Sequence, residues 1–191
     1  MIETELGKLR RSHYSDEINA SMDGTQVTVM GWVLTVRGHG NISFATVRDK
    51  NGDLSIVAKK GDCPDEIREK ISSLKAHSSI GIIGTIKASE KAPSGFEIIP
   101  TELRVFSEVT TIPPFEPTAK TVKNIDTRLE VRPIDLRRNV LQHVFKTRSL
   151  VLKTIRDYFI DQNFIEINTP KMIATATEGG AALFPIFYYN K

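Results

Sequence analysis

The chain has 191 residues, 40% hydrophobic and 26% charged, with 26 Lys and Arg against 23 Asp and Glu. That length allows one or two domains with a real core. It holds no apolar run of the roughly 20 residues that a membrane-spanning helix needs, and its lone Cys63 excludes both an internal disulfide and a cysteine-built zinc site.

The N-terminal stretch MIETELGKLRRSHY lacks the apolar centre of a signal peptide. With a single cysteine, a reducing, cytoplasmic setting is the expectation. Val27–Val36, VTVMGWVLTV, is β-branched and partly alternating, which predicts a strand ended by RGHGN. Ile42–Arg48 predicts a second strand. DKNG reads as a turn, with Gly52 placed for positive φ. Asp53–Ala58 predicts a third strand. A helix follows in GDCPDEIREKISSLKA: Pro64 suits the first helical position, Asp65 and Glu66 the first turn, and Ile67, Ile71 and Leu74 recur at helical spacing. Ser79–Ala88 and Gly95–Val105 predict two more strands, separated by SEKAPS. Three strands, a helix and two strands is the order of the five-stranded OB barrel, a common holder of oligonucleotides. A small domain of strands and a helix in another topology is the alternative.

VTTIPPFEPTAKT, residues 109–121, is proline-rich and predicts a linker. Asn139–Asn163 predicts a long helix with Leu141, Val144, Phe145, Val151, Leu152, Ile155 and Phe159 as an apolar stripe, interrupted by Arg148. FIEINTP then predicts a strand stopped by Pro170. Residues 118–156 hold ten Lys and Arg against three acids, a local excess of seven on a chain whose net charge is +3. Such a basic middle segment suggests a polyanion partner; the plain alternative is a solvated, arginine-rich helix face.

RSHY at 11–14, GWV at 31–33, Arg37, Phe44, RDKNG at 48–52, GFEIIP at 95–100, TRLEVRPIDLRR at 127–138 and FIEINTPKMIATATEGGAALFP at 164–185 carry a resemblance. The chain resembles an archaeal-type aspartyl-tRNA synthetase, a class II enzyme of the aspartyl, asparaginyl and lysyl subgroup. The likeness runs from about Arg11 to Phe184. It implies an OB-fold anticodon-binding domain over 1–108, a linker over 109–126, and the beginning of the α+β class II catalytic domain over 127–191. Of the family's three signature motifs, only the first is matched, by the long helix and the strand ending at Pro170. The resemblance therefore implies the N-terminal portion of an aspartate–tRNA ligase, without the later motifs that hold ATP, so that these 191 residues alone are expected to be inactive. An asparaginyl enzyme or related paralogue, and a stand-alone OB nucleic-acid-binding module, are the alternatives.

The resemblance also implies roles. Phe44 matches the phenylalanine that stacks on an anticodon base, Arg37 the arginine that contacts the central uracil, and Glu97 the acid that reads the first anticodon base. Judged by residue type alone, Phe44 would be core, Arg37 solvated surface and Glu97 a plain strand position; Trp32 is a core residue in both readings. The family usually has glutamine where Ser55 stands in GDLS, and a hydroxyl lacks the paired donor and acceptor of an amide. Glu178 matches the acid that pairs with the α-ammonium of substrate aspartate. Thr175, Ala176, Thr177, Gly179 and Gly180 match a mobile loop that closes over it, whereas an ordinary capped turn is the plain reading. The basic run Arg128–Arg138 is expected either to meet tRNA phosphates or to form salt bridges within the protein. The implied partners are tRNA and a second subunit, joined as a homodimer through motif 1. The complete enzyme would use aspartate and ATP with Mg²⁺; the fragment itself is expected to bind no cofactor tightly and no metal.

Overall fold

The computed structural model describes residues 2–3, 6–111, 113–119 and 122–170. The chain divides into two compact units, 1–112 and 113–191.

In the first unit a two-residue strand, β1 (Ile2–Glu3), precedes a long one, β2 (Gln26–His39). β2 outruns its predicted end at Val36. Arg37 and Gly38 remain in the ladder, and the reversal comes at Gly40, whose φ of +57° suits glycine. β3 (Ile42–Arg48) and β4 (Asp53–Lys59) continue the antiparallel meander. α1 (Asp65–Ser73) starts one residue later than predicted, after Pro64, and buries Ile67 and Ile71 completely. β5 (Ser79–Ala88) pairs with the first half of β2 and with β6 (Phe96–Ser107). A parallel bridge between Ile56 on β4 and Ile98 on β6 closes the ring. This is the OB barrel, with β1 added in parallel on the flank of β6.

Alternation decides what fills it. Ala45, Val47, Leu54, Ile56, Ile82 and Ile98 point inward and are buried, as are the two isoleucines of α1. Each buried valine, leucine or isoleucine among them contributes about 1.5–3 kcal/mol. α1 is also tied to β3 by a half-buried hydrogen bond between the hydroxyls of Ser43 and Ser72, at 2.5 Å.

The turn from β3 to β4 differs from expectation. Gly52 is absent from the glycines with positive φ. The turn is instead held by the Asp49 carboxylate, which accepts from the backbone N–H of Asn51 (2.8 Å) and of Gly52 (3.0 Å). Glycine suits position 52 for another reason: a Cβ there would meet the Ser15 hydroxyl at 3.1 Å.

The second unit contains two short helices that periodicity did not anticipate, α2 (Ile125–Glu130) and α3 (Arg132–Asp135), then α4 (Asn139–Asp161). Asp135 is fully buried. It accepts from Arg128 through both oxygens (2.9 and 3.2 Å) and from Arg132 (2.5 Å), with Arg138 at 3.7 Å. Burial by itself would raise the Asp135 pKa, but hydrogen bonds and charge from Arg128 and then Arg132 outweigh it and hold the carboxyl below its ordinary range. Of the two roles expected for this basic run, the structure displays the internal salt bridges.

α4 ends in a Schellman motif. Asn163 takes the left-handed conformation (φ +63°), Asn163 N–H donates to Ile160 C=O, and Phe164 N–H donates to Phe159 C=O. The rings of Phe159 and Phe164 meet edge to face at 5.4 Å, the apolar contact that accompanies this cap. Beyond it, Phe164–Pro170 forms no strand. A strand exists only by pairing its backbone groups, and among the described residues this segment has no pairing partner.

Candidate nucleic-acid interface

Residues directly opposite one another in an antiparallel ladder share a face. On β2, β3 and β4 this builds two adjacent outer rungs. One is Arg37–Phe44–Val57, and the next is Thr35–Thr46–Ser55. Glu97 lies across from Lys87 of β5. Glu97 and Ser55 each stand one residue before the inward pair Ile98 and Ile56 that bridges β6 to β4, so both face outward at the same step. The four residues that the resemblance singled out on the barrel are therefore brought onto one surface.

A bulge makes this possible. The β2–β3 register shifts between Val33 and Thr35, leaving Leu34 as the extra residue. Val33 is fully buried, and strict alternation from it would turn Thr35 and Arg37 inward as well. One inserted residue reverses the phase. Thr35 and Arg37 then face solvent while Val36 packs against the core.

Phe44 is 41% exposed in mid-strand, although Ala45 and Val47 beside it are buried. It is a surface aromatic and not a core one. Arg37 opposite it is exposed, and Ser55 and Glu97 are half-buried. The Thr35 hydroxyl donates to the Thr46 hydroxyl at 3.2 Å. Thr35 and Thr46 were not singled out from sequence; only the register, bulge included, puts them in line with Ser55.

Farther along β2, Arg11, Tyr14, Met30, Trp32, Lys50 and Phe106 line a cleft of about 360 Å³. The Arg11 guanidinium lies 4.2 Å and the Lys50 ammonium 4.0 Å from the Tyr14 ring centre. Trp32 is half-buried there, opposite Arg48 on the outer face, and not in the core as expected. The outward phase before the bulge, with Val33 facing inward, is the reason. Asp49 braces this end: Ser15 donates to it through N–H and hydroxyl, both at 2.7 Å.

In the second unit, Val144, Phe145, Val151, Leu152, Ile155 and Phe159 form the expected stripe on α4 and stand exposed. Pro170 is exposed at the end of an extended segment. Glu178 and the loop residues Thr175, Ala176, Thr177, Gly179 and Gly180 lie outside the described residues. Among the described residues no cluster of three or more His, Cys, Asp or Glu could hold a metal ion.

A family profile described as an OB-fold nucleic acid binding domain matches residues 27–106, and one described as tRNA synthetases class II (D, K and N) matches residues 124–191. Residues 124–191 thus match the class II tRNA synthetases and residues 27–106 the OB-fold nucleic acid binding domains. It is 45% identical over 97% of its length to the aspartate–tRNA(Asp/Asn) ligase of Methanococcus aeolicus, covering 42% of that protein. It is 46% identical over 96% of its length to the enzyme of the same name from Methanocaldococcus jannaschii, again covering 42%. Among solved structures, asparaginyl-tRNA synthetase from Pyrococcus horikoshii complexed with asparaginyl-adenylate aligns over 95% of this chain and 41% of that one, at 28% identity and a TM-score of 0.84. Aspartyl tRNA synthetase from Entamoeba histolytica aligns over 89% of this chain and 41% of that one, at 25% identity and a TM-score of 0.78. The chain thus spans about two fifths of the curated synthetases it matches. The match over 124–191 weighs against a stand-alone OB module.

Proposed function

We propose that the barrel binds the anticodon loop of tRNA through its outer β2–β3–β4 face, and that the whole synthetase to which these residues belong is an aspartate–tRNA ligase. The observation that carries the first part is Phe44, exposed in mid-strand between Arg37 and the step occupied by Ser55 and Glu97. An aromatic offers any base a surface to stack on, and polar neighbours meet the base edges. The second part rests on the 45% and 46% identity to aspartate–tRNA(Asp/Asn) ligases over nearly the whole chain. The dual name of those relatives supports a parent enzyme that serves aspartate and asparagine tRNAs alike.

On this reading the complete enzyme joins the aspartate carboxylate to the α-phosphate of ATP with release of pyrophosphate, then passes the aspartyl group from the adenylate to the terminal ribose of tRNA with release of AMP; Mg²⁺ would supply charge neutralisation at the phosphates. Glu178 pairs with the ammonium of aspartate while residues 175–180 close over it. The exposed apolar stripe of α4 and the segment ending at Pro170 belong to a homodimer contact, and the enzyme works in the cytoplasm. The basic run 128–138 has a structural role, since three of its arginines converge on Asp135.

The test is titration of the 191-residue chain with an RNA hairpin carrying an aspartate anticodon loop. Phe44→Ala is expected to weaken binding by roughly 1–3 kcal/mol with the melting temperature unchanged. Unchanged affinity, or an unfolded variant, would reassign Phe44 to packing and remove the basis of the proposal.

A further inference from the structure

The cleft beside Trp32 brings cations and aromatic rings together a second time on the barrel, away from Phe44. We infer that it is a phosphate site: Arg11 and Lys50, gathered at the Tyr14 ring, hold a backbone phosphate of the RNA strand that leaves the anticodon loop. This rests on the proposed RNA-binding face and extends it along β2 and β3 to a contact that reads no base.

Charge is the first observation. Arg48, Arg68 and Arg104, the other half-buried arginines of the barrel, are each paired with a carboxylate. Arg11 is half-buried too, yet its one hydrogen bond among the described residues goes to the Met30 carbonyl at 3.0 Å, and its buried Nε has no partner. Lys50 has no acid partner among the described residues either; like Arg11, it is held against the ring of Tyr14. Two cations drawn to one ring repel each other, and an anion between them removes that cost. Asp49 is the one carboxylate that lines the cleft, and its oxygens are taken by donors from Ser15, Asn51 and Gly52. It gives neither cation a hydrogen bond, and two positive charges stand against its one negative charge.

The walls and the position select the ligand. Met30, Trp32 and Phe106 are apolar or aromatic; they keep water from a charged contact, which strengthens it, and offer a sugar or base a surface beside its phosphate. A volume of about 360 Å³ is at the small end of ligand sites and suits one nucleotide unit. The site is also set in advance. Tyr14 N–H donates to the Glu17 carboxylate at 2.6 Å, and the next residue, Ser15, is fixed to Asp49, so little ordering is left to binding. Phe44, Thr46 and Arg48 are alternate residues of β3 and face outward together, with Trp32 opposite Arg48. The cleft therefore lies about 13–14 Å along the strand from Phe44, at the far end of one continuous surface. An acidic protein segment would meet the same charges, but an RNA strand already held at Phe44 reaches them as the continuation of the same chain.

Hairpins of the anticodon stem and loop, with one phosphate at a time replaced by an uncharged methylphosphonate and titrated by fluorescence anisotropy against the 191-residue chain, test this. One replacement outside the three anticodon nucleotides is expected to weaken binding about fivefold. In Lys50→Gln, where the altered side chain is exposed, the unmodified hairpin binds about fivefold more weakly and that same replacement costs nothing more. The slope of log Kd against log salt concentration falls by about 0.7–0.9, one phosphate contact. Lys50→Arg keeps the affinity, the slope and the sensitive position. Arg11→Gln behaves as Lys50→Gln does, and Lys50→Gln decides the matter if the arginine variant does not fold. Unchanged affinity and slope in Lys50→Gln, or a lower slope with no single methylphosphonate position relieved, overturns the phosphate site and leaves RNA binding at Phe44 intact. A polyglutamate peptide whose binding Lys50→Gln weakens, while the hairpin is unaffected, assigns the cleft to an acidic protein segment and overturns the site as well. Equal affinity of Phe44→Ala and the unaltered protein for the unmodified hairpin overturns the RNA-binding face itself, and the phosphate site with it.

Discussion

Asp49 has its two oxygens divided among four donors: Ser15 N–H, Ser15 hydroxyl, Asn51 N–H and Gly52 N–H. It thereby joins the N-terminal segment to the β3–β4 turn and holds Lys50 in place over Tyr14. Burial would raise its pKa, but the bonds from Ser15, Asn51 and Gly52 together outweigh burial, and the carboxyl titrates below its ordinary range. A carboxyl depressed in the folded state stabilises the protein above its unfolded pKa of about 3.9, and that contribution disappears as pH falls through the lower folded value. Asp49→Asn sets an amide donor against donors. It is expected to cost about 1–3 kcal/mol at neutral pH, read from urea denaturation. The difference between variant and unaltered protein should shrink as the pH is lowered below 4. A constant difference at every pH would mean that the charge of Asp49 contributes nothing.

At the scale of the element, β2 is the strand on which the barrel and the candidate site both depend. It pairs with β5 in its first half and with β3 in its second. Near the changeover, a Cβ on Gly31 would lie 2.4 Å from the Arg48 carbonyl oxygen. Backbone cannot yield as a side-chain tip does, so Gly31→Ala must separate the strands. The expected loss is about 1–3 kcal/mol, seen as a lower urea midpoint; an unchanged midpoint would show that the crossing is looser than these distances imply. The five barrel strands were legible because alternation and turn residues are local signals, whereas residue type alone did not show that Phe44, Arg37, Ser55 and Glu97 share one outer face, which depends on the pairing of strands. The bulge at Leu34 was not legible, since it exists only in the pairing of β2 with β3, and with it went the hydroxyl rung of Thr35 and Thr46. Trp32 was misread for the same reason: its face is set by register, not by hydrophobicity. Phe164–Pro170 has the composition of a strand, but composition cannot supply a partner.

Across the whole chain, each unit carries its own buried carboxylate, Asp49 in the first and Asp135 in the second. The two units also carry separable optical signals. Trp32, the sole tryptophan, is in the barrel, while α4 alone has 23 helical residues against nine in α1. Tryptophan fluorescence therefore reports on the first unit and helical circular dichroism mainly on the second. Asp135→Asn would leave Arg128, Arg132 and Arg138 facing one another without the carboxylate that now accepts hydrogen bonds from Arg128 and Arg132 and pairs with the charge of Arg138. Removing one partner from a buried ion pair typically costs about 3–5 kcal/mol. Because burial of Asp135 is outweighed by Arg128 and Arg132, its folded pKa is depressed, so the contribution it makes is complete above about pH 3.9 and fades below that. The variant is therefore expected to lose helical circular dichroism at lower urea than the unaltered protein at pH 7, by an amount that diminishes in acid. The Trp32 transition and the affinity for an anticodon hairpin should both stay where they were, because the barrel holds its own closed core and its own turn carboxylate. A Trp32 transition that moves together with the helical one would show that the proline-rich segment between the units transmits stability and that they unfold as one.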